Sequence, residues 1–262
     1  MRAAIQGLLL PTCLLILWEG ASRAGLLPEG ILPAPSTILA TWRVWAFGAG
    51  GFGLNPYSGT WVLTVLYSAR RVAEGFLLAV AVGVPTGILI GWSRIVARSI
   101  DPLIQGLRPI PITAWLPFSI ALFGIRDMGA VFLIALGAFY PIVVNATHGA
   151  RDVGRNLMRA ARMMGAGRAD LLLRVVFPSA LPAILTGMRI GLGVAWTAVI
   201  VAEIVAVKSG LGYVLWDAYY VGRMDVVLAD MVSIGLAGFL TDRLMLLLQA
   251  RVLHWQSHGQ SA

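Results

Sequence analysis

Apolar runs long enough to cross a bilayer recur along this chain, and they leave it few ways to fold. Gly75 to Trp92 is 18 residues without a charge, about the minimum for a transmembrane helix. Further apolar runs occupy Ala3 to Trp18, Asp101 to Phe123, Met128 to Val144, Pro178 to Val207 and Val226 to Thr241. In hydrocarbon a backbone must satisfy its own N–H and C=O groups, so each run predicts a helix. The expectation is an all-α polytopic membrane protein of about six spans, one integral domain over residues 1–262. Charged residues are 12% of the chain, about half the soluble norm.

Ala3 to Trp18 follows Arg2 and precedes Ala21-Ser22-Arg23-Ala24, a pattern that would also suit a cleaved signal peptide. The single leading arginine and the spans that follow favour a retained helix. Leu26 to Ser36 is proline-rich and reads as an extended linker. Ser36 is placed to cap a short helix, Thr37 to Phe47, with Trp42 and Trp45 as interfacial aromatics. Gly48 to Asn55 reads as a glycine-rich loop. Gly83, Gly87 and Gly91, and later Gly187, Gly191 and Gly193, are close-packing signals. Lys208 to Asp225 reads as a loop or surface helix with many aromatics. The sixth helix is expected to run on toward Trp255, with His254 and His258 as tail residues.

Asp101-Pro102 is expected to start the third span, a carboxylate cap followed by proline at the first helical position. That span contains Pro109, Pro111 and Pro117, which free backbone carbonyls. Freed carbonyls are tolerated at membrane depth only against protein or a wet cavity. The span, with Arg108, Thr113 and Trp115, is therefore the first candidate to line a pathway. Arg189, Trp196 and Glu203 of the fifth span are further candidates, because ionisable groups at membrane depth are costly to bury. Each has a plainer role open to it. Arg108 could snorkel to the interface, Glu203 could pair with an arginine or Lys208, and the tryptophans could pack.

Arg151 to Pro178 is the one long polar interruption. It holds Arg151, Arg155, Arg159, Arg162, Arg168 and Arg174. Leu157, Ala160, Ala161 and Met164 recur at helical spacing as an apolar stripe, with Arg155, Arg159 and Arg162 on another face. Gly165 and Gly167 supply a turn, and a second run, Ala169 to Phe177, is expected to stop at Pro178. This helix–turn–helix is built to dock on something outside the bilayer. With six spans and both termini inside, the inner loops carry eleven basic residues and the outer loops seven. In the short loops beside spans two to five the balance is eight to one, so the arginine-rich stretch is placed in the cytoplasm.

The net charge of +8 is nearly all arginine, with Lys208 the only lysine. Clustered between apolar runs, these cations match lipid head groups rather than nucleic acid. Cys13 is the only cysteine, which rules out an intrachain disulfide. No P-loop is present, no Cys/His set has metal spacing, and no G-x-S-x-G elbow occurs. The chain thus lacks a nucleotide-binding motor of its own. Uphill transport would need an ion gradient or a partner ATPase, and Glu203 is the one good acidic candidate for gradient coupling.

Arg159-Ala160-Ala161, Gly165 and Pro178 resemble the cytoplasmic motif of ABC importer permeases. LPAPSTIL (Leu32 to Leu39), GVPTGILIGWSR (Gly83 to Arg94), DPLIQGLRPIPITAWLPF (Asp101 to Phe118) and AEIVAVKSGLGYVLWDA (Ala202 to Ala218) are similar to the nitrate, sulfonate and taurine branch. The likeness covers nearly the whole chain. Arg159 departs from the motif, whose corresponding residue is acidic. The resemblance implies a type I ABC importer transmembrane domain in a bacterial inner membrane, with a coupling segment at 151–178. It implies two copies forming the pore and a periplasmic solute-binding protein. It also implies an ATPase dimer that binds ATP and magnesium, so this chain would be a translocation subunit without cofactor or catalytic residues. Docking would fall to Arg155, Leu157, Arg159, Ala160, Ala161, Arg162, Met164 and Gly165. The implied cargo is a small anion such as nitrate, bicarbonate, taurine or another sulfonate. A pyrimidine precursor, another organic acid or an aromatic acid, and a gradient-driven carrier, stay open as alternatives.

Overall fold

Glycine decides how closely the long helices approach one another. Helix α3 (Trp61–Trp92) meets α6 (Asp127–Arg151) through Gly75, Gly83, Gly87 and Gly91. A Cβ at Gly87 would stand 2.6 Å from the Ala146 Cβ, and one at Gly91 would stand 2.5 Å from the Ala150 Cβ. An adjoining face of α6 meets α9 (Phe177–Ala206) in the same manner. There a Cβ on Gly187 would lie 2.6 Å from Asn145, and one on Gly149 would lie 2.8 Å from Ala183. Gly193, read from the sequence as a third contact of this kind, has nothing within 4 Å. The close approach also lets Thr147 donate its hydroxyl to the Gly87 carbonyl at 3.1 Å, a polar tie between two apolar helices.

The computed structural model describes residues 2–28, 30–48 and 56–254, with side chains from residue 9 onward. Residues 49–55 of the glycine-rich loop, Trp255 and His258 lie outside them. Every regular element among the described residues is helical. Two compact units emerge, residues 1–68 with 208–236, and residues 69–207 with 237–262. Among the described residues four helices are long and apolar enough to cross a membrane, or five if one bent pair counts as a span. Helix α1 (Arg2–Arg23) has 22 residues, roughly 33 Å and so the length for a sixth.

In the first unit, α2 (Pro35–Phe47) begins two residues earlier than expected, with Pro35 in its first turn. Ser36 does not cap it. Instead Glu19 of α1 accepts from the Ser36 N–H at 3.0 Å and its hydroxyl at 2.7 Å, so a carboxylate satisfies the helix start. Trp45 is fully buried and donates to Thr60, while Trp42 donates to Ser233. Both tryptophans are anchors of packing within this unit. The Lys208–Asp225 stretch forms α10 (Leu211–Tyr220), and Gly222, at φ 74°, turns the chain into α11 (Met224–Val252). Tyr57 donates to Asp217 at 2.7 Å. Burial, then that carboxylate, raises the phenol above its ordinary value, so it stays a neutral donor.

The second unit holds a buried charge cluster. Arg71, only 4% exposed in its side chain, bonds at 2.7 Å to both Glu203 and Asp127. Glu203, fully buried near the end of α9, therefore pairs across to α3 and not with Lys208. Asp127 sits in the first turn of α6, where a helix favours negative charge. One guanidinium thus fastens three helices at the same end. At the other end Arg151, in the last turn of α6, holds Asp101 at 2.9 Å.

Two consequences are measurable by thermal unfolding of the purified protein in detergent. Gly87→Val overpacks the α3–α6 contact and should destabilise by about 1–3 kcal/mol, whereas Gly193→Ala should be neutral. Arg71→Ala strands a buried carboxylate and should cost about 3–5 kcal/mol. Arg70→Ala, which removes only an exposed pair with Glu74, should leave the unfolding temperature nearly unchanged.

Candidate translocation site and coupling segment

Proline shapes the candidate pathway. Helix α4 (Arg94–Leu107) starts at Ser93, whose side chain caps Val96, and not at Asp101-Pro102 as the sequence suggested. Pro102 lies inside it and Asp101 faces Arg151. The helix then stops. Pro109 and Pro111 have no N–H to continue it, and Pro111 is extended at ψ 145°. A 3-10 turn, Ile112–Trp115, leads into α5 (Leu116–Phe123). The two halves are bent by 97°, so the expected third span is a broken one.

The break closes against α6 and α9 around a cavity of about 420 Å³. Its walls include Arg108, Ile110 and Trp115 from the break, Tyr140 and Asn145 from α6, and Ile190 and Val194 from α9. Gly137 lets the break approach, because a Cβ there would meet Ile112 at 2.7 Å. Pro141 has no N–H for the Gly137 carbonyl, and Asn145 donates to the Pro141 carbonyl at 2.8 Å. Arg108 is the one charged residue in the lining, and no carboxylate faces it there. The indole N–H of Trp115 is buried without an acceptor. The arrangement offers a cation, a phenol and a carboxamide in an otherwise apolar chamber.

Of the pathway residues expected from sequence, only Arg108 and Trp115 line this cavity. Thr113 is exposed on the 3-10 turn. Arg189 makes two bonds to Asp242, at 2.6 and 3.0 Å, and Trp196 donates to Thr241 at 2.9 Å. Both tie α9 to the far half of α11. Glu203 belongs to the Arg71 cluster. Tyr140 and Asn145 were not singled out, although a carboxamide four residues after a proline within an apolar run was a visible signal.

Between α6 and α9 lies α7 (Arg155–Met163), followed by Gly165 at φ 83°. The chain resumes at α8 (Arg168–Asp170), passes through a π segment, Leu171–Val176, and continues directly into α9. It does not stop at Pro178. Pro178 stands in the first turn of α9, directly after the π segment. The apolar stripe divides. Ala161 is buried and Ala160 partly so, while Leu157 and Met164 are 52% and 82% exposed. Met163, outside the expected stripe, is 83% exposed. Arg155, Arg159 and Arg162 are exposed and, among the described residues, make no ion pair within the chain. The outward surface is cationic and apolar at once, with methionines suited to an adaptable contact.

Residues 83–254 match the family described as binding-protein-dependent transport system inner membrane component. The chain is 34% identical over 253 residues to the putative aliphatic sulfonates transport permease protein of Bacillus subtilis, covering 97% of this chain and 88% of that one. It is 33% identical over 248 residues to the nitrate import permease protein of Synechocystis, covering 86% and 90%. In fold it is similar to a chain of the MetNI methionine ABC transporter in an inward-facing conformation. The TM-score is 0.65 at 21% identity, over 73% of this chain and 95% of that chain. With its all-helical elements, that likeness gives the fold of a type I ABC importer transmembrane domain. The chain belongs to the inner-membrane permease family of binding-protein-dependent ABC transport systems, in the branch that includes sulfonate and nitrate permeases.

Proposed function

We propose that this chain is the translocation subunit of an ATP-driven importer that moves a small anionic solute into the cytoplasm by alternating access. The observation that carries this reading is the surface of α7: three unpaired arginines beside exposed Leu157, Met163 and Met164. A cytosolic helix of this kind wants a protein groove with acidic residues, and a separate ATPase would supply it. The partner ATPases would bind ATP and magnesium. A second copy of this chain would complete the pore, a solute-binding protein would deliver cargo from outside, and both termini would lie in the cytoplasm.

The mechanical link is short. Helix α7 hangs between the ends of α6 and α9, and those two helices form walls of the Arg108 cavity. Tilting α7 as the ATPases close would therefore act on both walls at once. The anionic cargo rests on Arg108, which meets no carboxylate in the cavity lining, and on relatives named for sulfonate and nitrate. Pairing of Glu203 with Arg71 weighs against a gradient-coupled carrier.

Three variants test the proposal. Arg159→Glu, combined with Arg162→Glu, should reduce co-purification of the ATPase by at least about tenfold, as loss of interfacial charge pairs does. Gly165→Pro should abolish uptake while the chain still inserts. Arg108→Ala should lower anion uptake by about tenfold or more, with ATPase binding unchanged. Uptake that survives ATP depletion but collapses with the ion gradient would overturn the ATP-driven reading.

A further inference from the structure

In the first unit a polar cavity and an apolar groove lie end to end on the same three helices. The polar cavity, about 410 Å³, is lined by Ser22 and Arg23 at the end of α1, Ser36 at the start of α2 and Asp225 at the start of α11. The groove, about 690 Å³, takes over within a turn. It is lined by Leu15 and Trp18 of α1, Ile38 and Trp42 of α2, and Val232 and Leu236 of α11. Helix α1 runs toward the polar end, whereas α2 and α11 run away from it. All three thus change from polar to apolar in one direction. From Asp225 to Leu236 is eleven residues, roughly 16 Å of helix. Half the hydrocarbon core of a bilayer is about 15 Å, so cavity and groove together have about the depth of one leaflet.

Trp18 stands where the two regions meet. It is half-buried, and its indole N–H is buried with no hydrogen-bond acceptor among the described residues. A buried donor without an acceptor is costly in a protein interior. The charges at the mouth are balanced: Arg23 holds Glu19 through Nε at 2.6 Å, and Arg223 holds Asp225 at 2.8 Å. The Nε bond leaves the terminal nitrogens of the Arg23 guanidinium for another acceptor.

We infer that cavity and groove together form a site for one zwitterionic membrane phospholipid. Its acyl chain fills the groove, and an ester carbonyl accepts from the Trp18 N–H. Its phosphate meets Arg23, and its ammonium faces Asp225. The match of depth, donor and balanced charge distinguishes this site from lipid that merely coats an apolar helix.

The test uses the purified full-length chain in nanodiscs of equal parts phosphatidylethanolamine and phosphatidylglycerol, released into mild detergent and weighed by native mass spectrometry. The wild type should retain one phosphatidylethanolamine per chain. Val232→Trp fills the groove and should abolish retention. Trp18→Phe keeps the shape but loses the donor, and should weaken retention by about fivefold. Leu240→Trp, on α11 outside the groove, should retain lipid as the wild type does and controls for folding. A chain that holds no lipid or only detergent, that prefers phosphatidylglycerol, or whose retention is unaffected by Val232→Trp would overturn the inference. So would equal loss in Leu240→Trp.

Discussion

The structure depends on backbone approach across α6. Glycines on α3 and α9 bring both helices to distances that any Cβ would forbid. In hydrocarbon no hydrophobic effect drives helices together, so dispersion across such contacts carries the association. Rigidity follows, because side chains that interlock at this spacing have few alternative packings. The buried Arg71 cluster at one end and the Arg151–Asp101 pair at the other fix the register of the bundle. A bundle held in this way transmits displacement instead of absorbing it.

That stiffness gives α7 its meaning. Its helix ends pass through Gly154 on one side and the Gly165 turn on the other into elements that wall the Arg108 cavity. The cavity exists because two prolines stop α4, so freed backbone and the Arg108 cation border open volume. A cation beside freed backbone is costly to maintain in lipid. The outward face of α7 is equally out of place on a self-contained protein. It combines exposed methionines with arginines that, among the described residues, no carboxylate answers. The proposed motion, linking a cytosolic partner to a gate, would account for both features.

Much of this was legible in the sequence. Apolar runs gave the spans, prolines marked the break, and the arginine-rich elbow gave α7 and its turn. Glycine spacing marked the close-packing face of α3, though not its partner, and overreached at Gly193, because periodicity cannot tell which face a neighbour occupies. Ser36 and Asp101-Pro102 looked like helix starts; Glu19 and Ser93 took those tasks, and only tertiary contacts or a competing cap could reveal it. Pro178 looked like a terminator because π geometry is invisible to local propensity. The partners of Glu203, Arg189 and Trp196 come from helices far away in sequence, beyond any spacing argument. The same is true of Tyr140 and Asn145, which reach the cavity only through the α6–α9 contact.

The most direct test of the central claim is site-specific crosslinking in the assembled transporter. With Cys13→Ser as background, Met163→Cys should form a disulfide with a cysteine placed in the groove of the ATPase, at a yield that changes when ATP is added. A cysteine at Met163 that meets no ATPase residue in any nucleotide state would contradict the account.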